Sequence, residues 1–360
     1  MIYLDYQATT PLAPEARDAM VPWLTAEGSA NPHSSHVPGR AAKAAVETAR
    51  DQVAALLPSG GRVFFTSGAT ESLNWALQGS GARRIAVAAT EHAAVLDTSH
   101  WLAERSHDVT LLPVDSEGLL DPANVPAGLD LLAVMLVNNE IGTIQPVEQL
   151  AARAAGALVL CDAVQGFGRI EIPRGCDLIA LTAHKIHGPK GIGALWMRDG
   201  VTLEPLLHGG GQEGGIRSGT LSPALCAGFG AAAAVAKLRM VEDRLHVEYL
   251  WQVATTRLGA DWHINGTCAA RWHGNLSIRC DGLDAARLTS GLRDISCSAG
   301  SACASGSGRP SHVLKAIGLT DAEARSSIRL GFGRYTTETE LTEAIDRIIT
   351  AANAQASIAA

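Results

Sequence analysis

The chain has 360 residues, a net charge of −7 and a sequence pI near 5.9. With 47% apolar and 18% charged residues, it has room for one large or two ordinary globular domains around a sizeable core. The acidic balance, without a run of five basic residues, argues against a nucleic-acid partner. No membrane-spanning stretch is expected. The N-terminus (MIYLDY) lacks the basic segment and apolar run of a secretion signal, so a cytoplasmic location is the expectation. The seven cysteines are scattered and no CxxC occurs, which speaks against a disulfide framework or a zinc site. Aromatics are only 4% of the chain and glycines number 37, so the core must come from Ala, Leu, Val and Ile with backbones close together.

In chain order, residues 40–57 read as an Ala-rich amphipathic helix. Strand candidates follow at 63–65, 85–89, 131–137, 157–161 and 178–181, with a further apolar run at 192–197. Strands this apolar, separated by helical patterns, predict a mostly parallel sheet covered on both faces. A long helix over 231–258 leads out of that unit, and 275–279 and 327–332 are strand candidates beyond it. The last helix is predicted to start at Thr337, because residues 337–340 (TETE) form a capping box. The fold class is α/β: a large domain over 15–235, and a smaller α+β domain from 1–14 with 236–360.

Four strand candidates end in polar residues: Thr90-Glu91-His92, Asn138-Asn139-Glu140, Asp162 to Gln165, and Thr182 to Lys185. In a parallel sheet such ends share one edge, where open α/β folds bind ligands. A lysine at the mouth of a core strand is costly unless paired or covalently used, and one use is a Schiff base with an aldehyde. The segment 66–71 (TSGATE) lies between a strand and a helix and offers backbone N–H groups to an anion. Residues 209–214 (GGGQEG) satisfy GxGxxG, but no helix start follows and no acidic residue stands about 20 positions on, so dinucleotide binding is not expected. The small-residue loop 298–310 is expected to be mobile and accessible, and Cys303 near its centre looks placed for reactivity.

In combination, residues 3–11 (YLDYQATTP), 66–71, Glu91-His92, 138–142 (NNEIG), 162–165 (DAVQ), His184-Lys185, 217–220 (RSGT), 300–303 (GSAC) and Ile328-Arg329 resemble a cysteine desulfurase. That is a pyridoxal-phosphate enzyme of the class V aminotransferase group, with the aspartate-aminotransferase-type fold (fold type I). The resemblance runs from residue 3 to about 340. It implies that Lys185 binds the cofactor aldehyde and moves protons at the substrate, and that Asp162 pairs with the ring nitrogen. Gln165 would hydrogen-bond the ring oxygen. His92 would stack on the ring and assist proton transfer. Ala69, Thr70, Thr182 and His184 would hold the phosphate, joined by Thr220 from a neighbouring subunit, so a homodimer is implied. Asn139 and Arg329 would take the substrate carboxylate. Cys303 would attack the sulfur of cofactor-bound L-cysteine, leaving an enzyme persulfide for an acceptor protein and releasing L-alanine. The acceptor, and so the pathway (iron–sulfur cluster assembly, tRNA thiolation or cofactor synthesis), stays open. Gln7 stands where the family usually has Ala, Thr182 replaces a Ser, and Gly308-Arg309 replaces a commoner Leu-Glu, which changes the charge of the Cys303 loop. A selenocysteine lyase would share these residues. A plain class V aminotransferase would share Lys185 and Asp162 without needing Cys303.

Overall fold

The structure is a computed structural model describing residues 1–299 and 310–359. It opens with β1 (Ile2–Tyr3), α1 (Pro14–Met20) and α2 (Val37–Ala54). Strands and helices then alternate as β2 (Gly61–Thr66), α3 (Ala69–Gly79), β3 (Arg84–Ala88), α4 (Ala93–Ala103), β4 (Asp108–Leu112), β5 (Leu131–Met135), α5 (Val147–Arg153), β6 (Leu158–Asp162), β7 (Leu178–Thr182) and β8 (Gly193–Arg198). The 35-residue α6 (Pro223–Arg257) follows. Beyond it come β9 (Trp262–Ile264), β10 (Asn275–Cys280), α7 (Ala285–Gly291), β11 (Ile295–Ser296), α8 (His312–Ala316), α9 (Asp321–Arg325), β12 (Ser327–Gly331) and α10 (Glu338–Ala359).

Seven strands form the central sheet in the order β2-β8-β7-β6-β5-β3-β4. All its neighbours pair parallel except β8, which runs antiparallel to β2 and β7. The physical reason is loop length. Only residues 183–192 join β7 to β8, too few for the crossover that a parallel return requires. Alternate residues of β5 feed two cores: Leu132 and Val134 pack on one face, Leu131 and Ala133 on the other. That two-sided burial explains why these strands read as continuous apolar runs. The edge strand β4 has Asp108 and Leu111 exposed, and this mixed pattern kept it out of the strands expected from sequence.

The length of α6 corrects one expectation. This helix is long and apolar enough, by length and composition, to cross a membrane. Its Cys226, Phe229, Ala232, Ala233 and Ala236 are instead buried, and it packs against α1, α2 and α10.

The first residues tie the C-terminal part to the central sheet. β1 pairs parallel with β11, and Asp5 bridges to Gly331 in β12 of a three-stranded antiparallel sheet, β12-β10-β9. The chain then crosses back, with Thr10 N–H donating to His184 O and Ala13 N–H to His187 O, both at 2.9 Å. At the other end Thr337 caps α10 as its sequence predicts, exchanging hydrogen bonds with Glu340.

Candidate active site

The carboxyl ends of β3, β5, β6 and β7 converge on a cavity of about 520 Å³. Lys185 sits one short turn past β7. Its Nζ donates to the carbonyls of Gln7 and Ala8, the latter at 2.6 Å. Asp162, the last residue of β6, is buried, and Val164 N–H donates to its Oδ1 at 3.0 Å. Burial pushes the Asp162 carboxyl above the usual carboxylate range, and nearby His92 and Lys185 pull it back. Behind it Glu91 is fully buried and accepts Met135 N–H at 2.6 Å. Burial first, then the charge of Asp162, raise Glu91 well above its ordinary value.

The anion end of the cavity is built by α3. Ala69 and Thr70 lie in its first turn, where backbone N–H groups have no helical acceptor. Glu71 reaches back to Ser67 N–H at 2.7 Å and takes a two-pronged bond from Arg217 at 2.7 and 3.0 Å. Gly193 has to be glycine here, because a Cβ would meet Leu181 O at 2.5 Å and Gly68 at 2.7 Å. His184 Nδ1 lies 3.2 Å from Thr9 Oγ1. Burial, followed by the charges of Lys185 and Lys190, lowers His184 to about 4, so it is neutral at physiological pH. Thr182 Oγ1 is 3.2 Å from Ile192 O.

His92 caps α4, its Nδ1 accepting Ala94 N–H at 3.1 Å. Gln165 Nε2 donates to Gln7 O at 3.0 Å. Arg329, in β12, reaches the cavity from the C-terminal sheet. Its guanidinium donates to Asn139 O at 3.0 Å and to Asp5 Oδ1 at 2.8 Å, and its Nε has no acceptor among the described residues.

Ala69, Thr70, His92, Asn139, Asp162, Gln165, Thr182, His184, Lys185 and Arg329 thus line one cavity. Thr220 does not; it is exposed. Cys303 lies outside the described residues. At the N-terminus of α8, Ser311 Oγ donates to Glu140 and His312 Nε2 lies 2.9 Å from Glu91 O, each acid being next in sequence to a cavity residue. Sequence reasoning assigned no role to Gln7, Ala8 and Thr9, which form part of the cavity wall. Their only sequence signal was the motif at 3–11, since they stand more than 170 residues from Lys185 in the chain.

This arrangement matches known proteins. The chain matches the family Aminotransferase class-V over residues 2–343 and belongs to it. It is 42% identical to a probable mitochondrial cysteine desulfurase of Schizosaccharomyces pombe, covering 96% of this chain and 73% of that one. It is 40% identical to the cysteine desulfurase IscS of Rickettsia akari over 96% and 90% of the two chains. Among solved structures, a NifS-like protein superposes with a TM-score of 0.88 at 33% identity, over 96% of this chain and 98% of the other. Within the class V family, the chain therefore falls among the cysteine desulfurases.

The cofactor of this family is pyridoxal 5′-phosphate, and the cavity residues fit it. A buried carboxylate, Asp162, has just one hydrogen-bond donor among the described residues and suits a protonated ring nitrogen. The open first turn of α3, together with a neutral His184, suits a phosphate. The Lys185 amine lines the same cavity.

Proposed function

We propose that the chain converts L-cysteine to L-alanine and passes the sulfur, by way of a Cys303 persulfide, to an acceptor protein. The observation that carries this reading is the meeting of Lys185, Asp162 and Arg329 in one cavity. When bound, the cofactor supplies an electron sink that eases bond breaking at the substrate's α and β carbons. The remaining steps fall to the chain's own side chains.

Arg329 binds the substrate carboxylate, its Nε having no acceptor among the described residues. Asn139 fixes Arg329 through its carbonyl. Lys185 removes the proton from Cα and returns a proton as alanine forms. Asp162 would hold the positive charge of the ring nitrogen, and Gln165 would donate to the ring oxygen. His92, held at its Nδ1 by the first turn of α4, presents the rest of its ring to the cavity. The Cys303 thiolate attacks the substrate sulfur. The new S–S bond leaves the persulfide on Cys303, and the electron pair of the broken C–S bond stays with the substrate's β carbon, which takes up a proton.

A homodimer belongs to this reading. Thr220 is exposed, on a segment clamped by Arg217–Glu71 and by the buried pair of Arg50 and Glu213 at 2.7 Å. That rigid presentation suits a hydroxyl offered to a second subunit's phosphate site. Mixing inactive Lys185→Ala and Thr220→Val subunits tests it, because one hybrid site regains both residues and activity should return. The six described cysteines are free thiols, which suits a reducing, cytoplasmic compartment.

The deciding assay is quantification of alanine and sulfide from L-cysteine with excess reductant. Equal yields support the reading; pyruvate with ammonia would overturn it. A selenocysteine lyase remains a second outcome, read from kcat/KM for the two substrates.

A further inference from the structure

Four residues after Gln165, Arg169 makes hydrogen bonds only to neutral oxygens among the described residues. One guanidinium nitrogen donates to Gln165 Oε1 at 2.8 Å and to Gln165 O at 3.2 Å, and the other to Lys185 O at 2.8 Å. The guanidinium also lies 5.7 Å from the centre of the Trp272 ring. Arg169 is partly buried, and a cation drawn out of water ordinarily takes a carboxylate partner. The acid lining the same small cavity, Asp243, is already engaged by Arg334 at 2.7 and 2.8 Å and by Arg239 at 3.3 Å. The other titratable or charged groups around that cavity are Tyr6, Lys185, His187 and Arg334, and none is an anion at neutral pH. Burial lowers Arg169 to about 10, so the group stays charged at physiological pH.

A lone cation is costly here, and both residues it holds belong to the cofactor site. Its contact with Gln165 also fixes the amide. Arginine only donates, so the carboxamide oxygen must face Arg169 and the N–H₂ end must face away from it. That end now donates to Gln7 O.

We propose that Arg169 is a positioning residue for the cofactor: it locks the Gln165 amide with its N–H side toward the cavity, sharpens that N–H as a donor to the ring oxygen, and ties the Lys185 backbone to the same unit. This rests on the reading of Gln165 as the partner of the ring oxygen. A donor polarised by a bonded cation is stronger than a neutral amide alone. With a weaker donor, the ring oxygen shares the proton of the Lys185 nitrogen more tightly, and that proton is lost at higher pH.

The test titrates the visible absorbance of the cofactor-loaded enzyme against pH and measures the cofactor's dissociation constant. In Arg169→Met the absorbance midpoint should rise by about half to one pH unit, the worth of one ordinary hydrogen bond. Cofactor binding should weaken by roughly three- to tenfold. Gln165→Leu should raise the midpoint at least as far, and adding Arg169→Met to it should move the midpoint no further. A midpoint unmoved in Arg169→Met but raised in Gln165→Leu overturns the role of Arg169 and leaves the site reading intact. A midpoint unmoved in Gln165→Leu removes the reading of Gln165, and this proposal with it. Should Arg169→Met fail to fold, Arg169→Lys keeps the charge but loses the fork. It should raise the midpoint by a smaller amount, and no movement in that folded variant overturns the proposal.

Discussion

The Asp5 carboxylate lies 2.8 Å from the guanidinium of Arg329, the side chain proposed to receive the substrate carboxylate. The Arg329 side chain is 2% exposed, so its charge needs a counterion. Ser298 joins the pair, its Oγ 2.9 Å from Asp5 Oδ1. In Asp5→Asn the buried cation loses that counterion, and stability should fall by about 1–3 kcal/mol. A carboxylate ligand can then supply the missing charge. L-alanine should raise the Tm of the loaded variant more than that of the wild type. An equal rise in both proteins would contradict the placement of Arg329.

Gly331 and Gln7 pack without spare room. A Cβ on Gly331 would lie 1.7 Å from Gln7 Oε1 and 2.8 Å from Tyr6 N. Gly331→Ala should therefore cost about 1–3 kcal/mol through overpacking. Gln7→Ala removes the nearer obstacle and should recover part of that loss, while the backbone contact at Tyr6 keeps recovery incomplete. Urea unfolding of the single and double variants checks the coupling, which strict additivity would refute.

His187 gives the fold an acid-sensitive element. It is buried, its Nδ1 lies 2.9 Å from Pro11 O, and burial lowers its pKa to about 4. An unfolded histidine ionises near 6.5, as an approximate reference value. Between these values the unfolded chain binds more protons, so stability rises with pH across that window. The contribution is fully present above about 6.5 and is lost as pH falls toward 4, on the order of 3 kcal/mol. His187→Asn should flatten this part of the stability–pH curve; an unchanged slope would assign the acid sensitivity elsewhere.

Cys303→Ala separates sulfur transfer from cofactor binding. Cofactor content and the visible spectrum should match the wild type, while sulfide release should fall by at least about a hundredfold. Unchanged turnover would rule out Cys303 as the sulfur carrier.

Sequence reading placed the strand ends because β3, β5, β6 and β7 are buried on both faces and stop at polar residues. It did not reach β4, whose exposed Asp108 and Leu111 break the apolar run. The reversed direction of β8 followed from a loop length that was visible but not weighed. Gln7, Ala8 and Thr9 carry no local mark of their role. They meet Lys185 because Asp5 bridges β12 and Thr10 and Ala13 bond to His184 and His187, and such pairings between distant segments leave little trace in a single sequence. The buried carboxyl of Glu140, which receives Ser311, stood in a recognised motif, but its partner lies 171 residues away.

The account depends most on the Lys185 amine being the point where the cofactor is held. Borohydride reduction of the purified, cofactor-loaded protein, followed by mass mapping of its peptides, tests this directly. The predicted result is a single pyridoxyl-phosphate adduct on the peptide containing Lys185, with loss of the visible band. An adduct on another lysine, or a fully retained visible band with no adduct, would contradict the assignment.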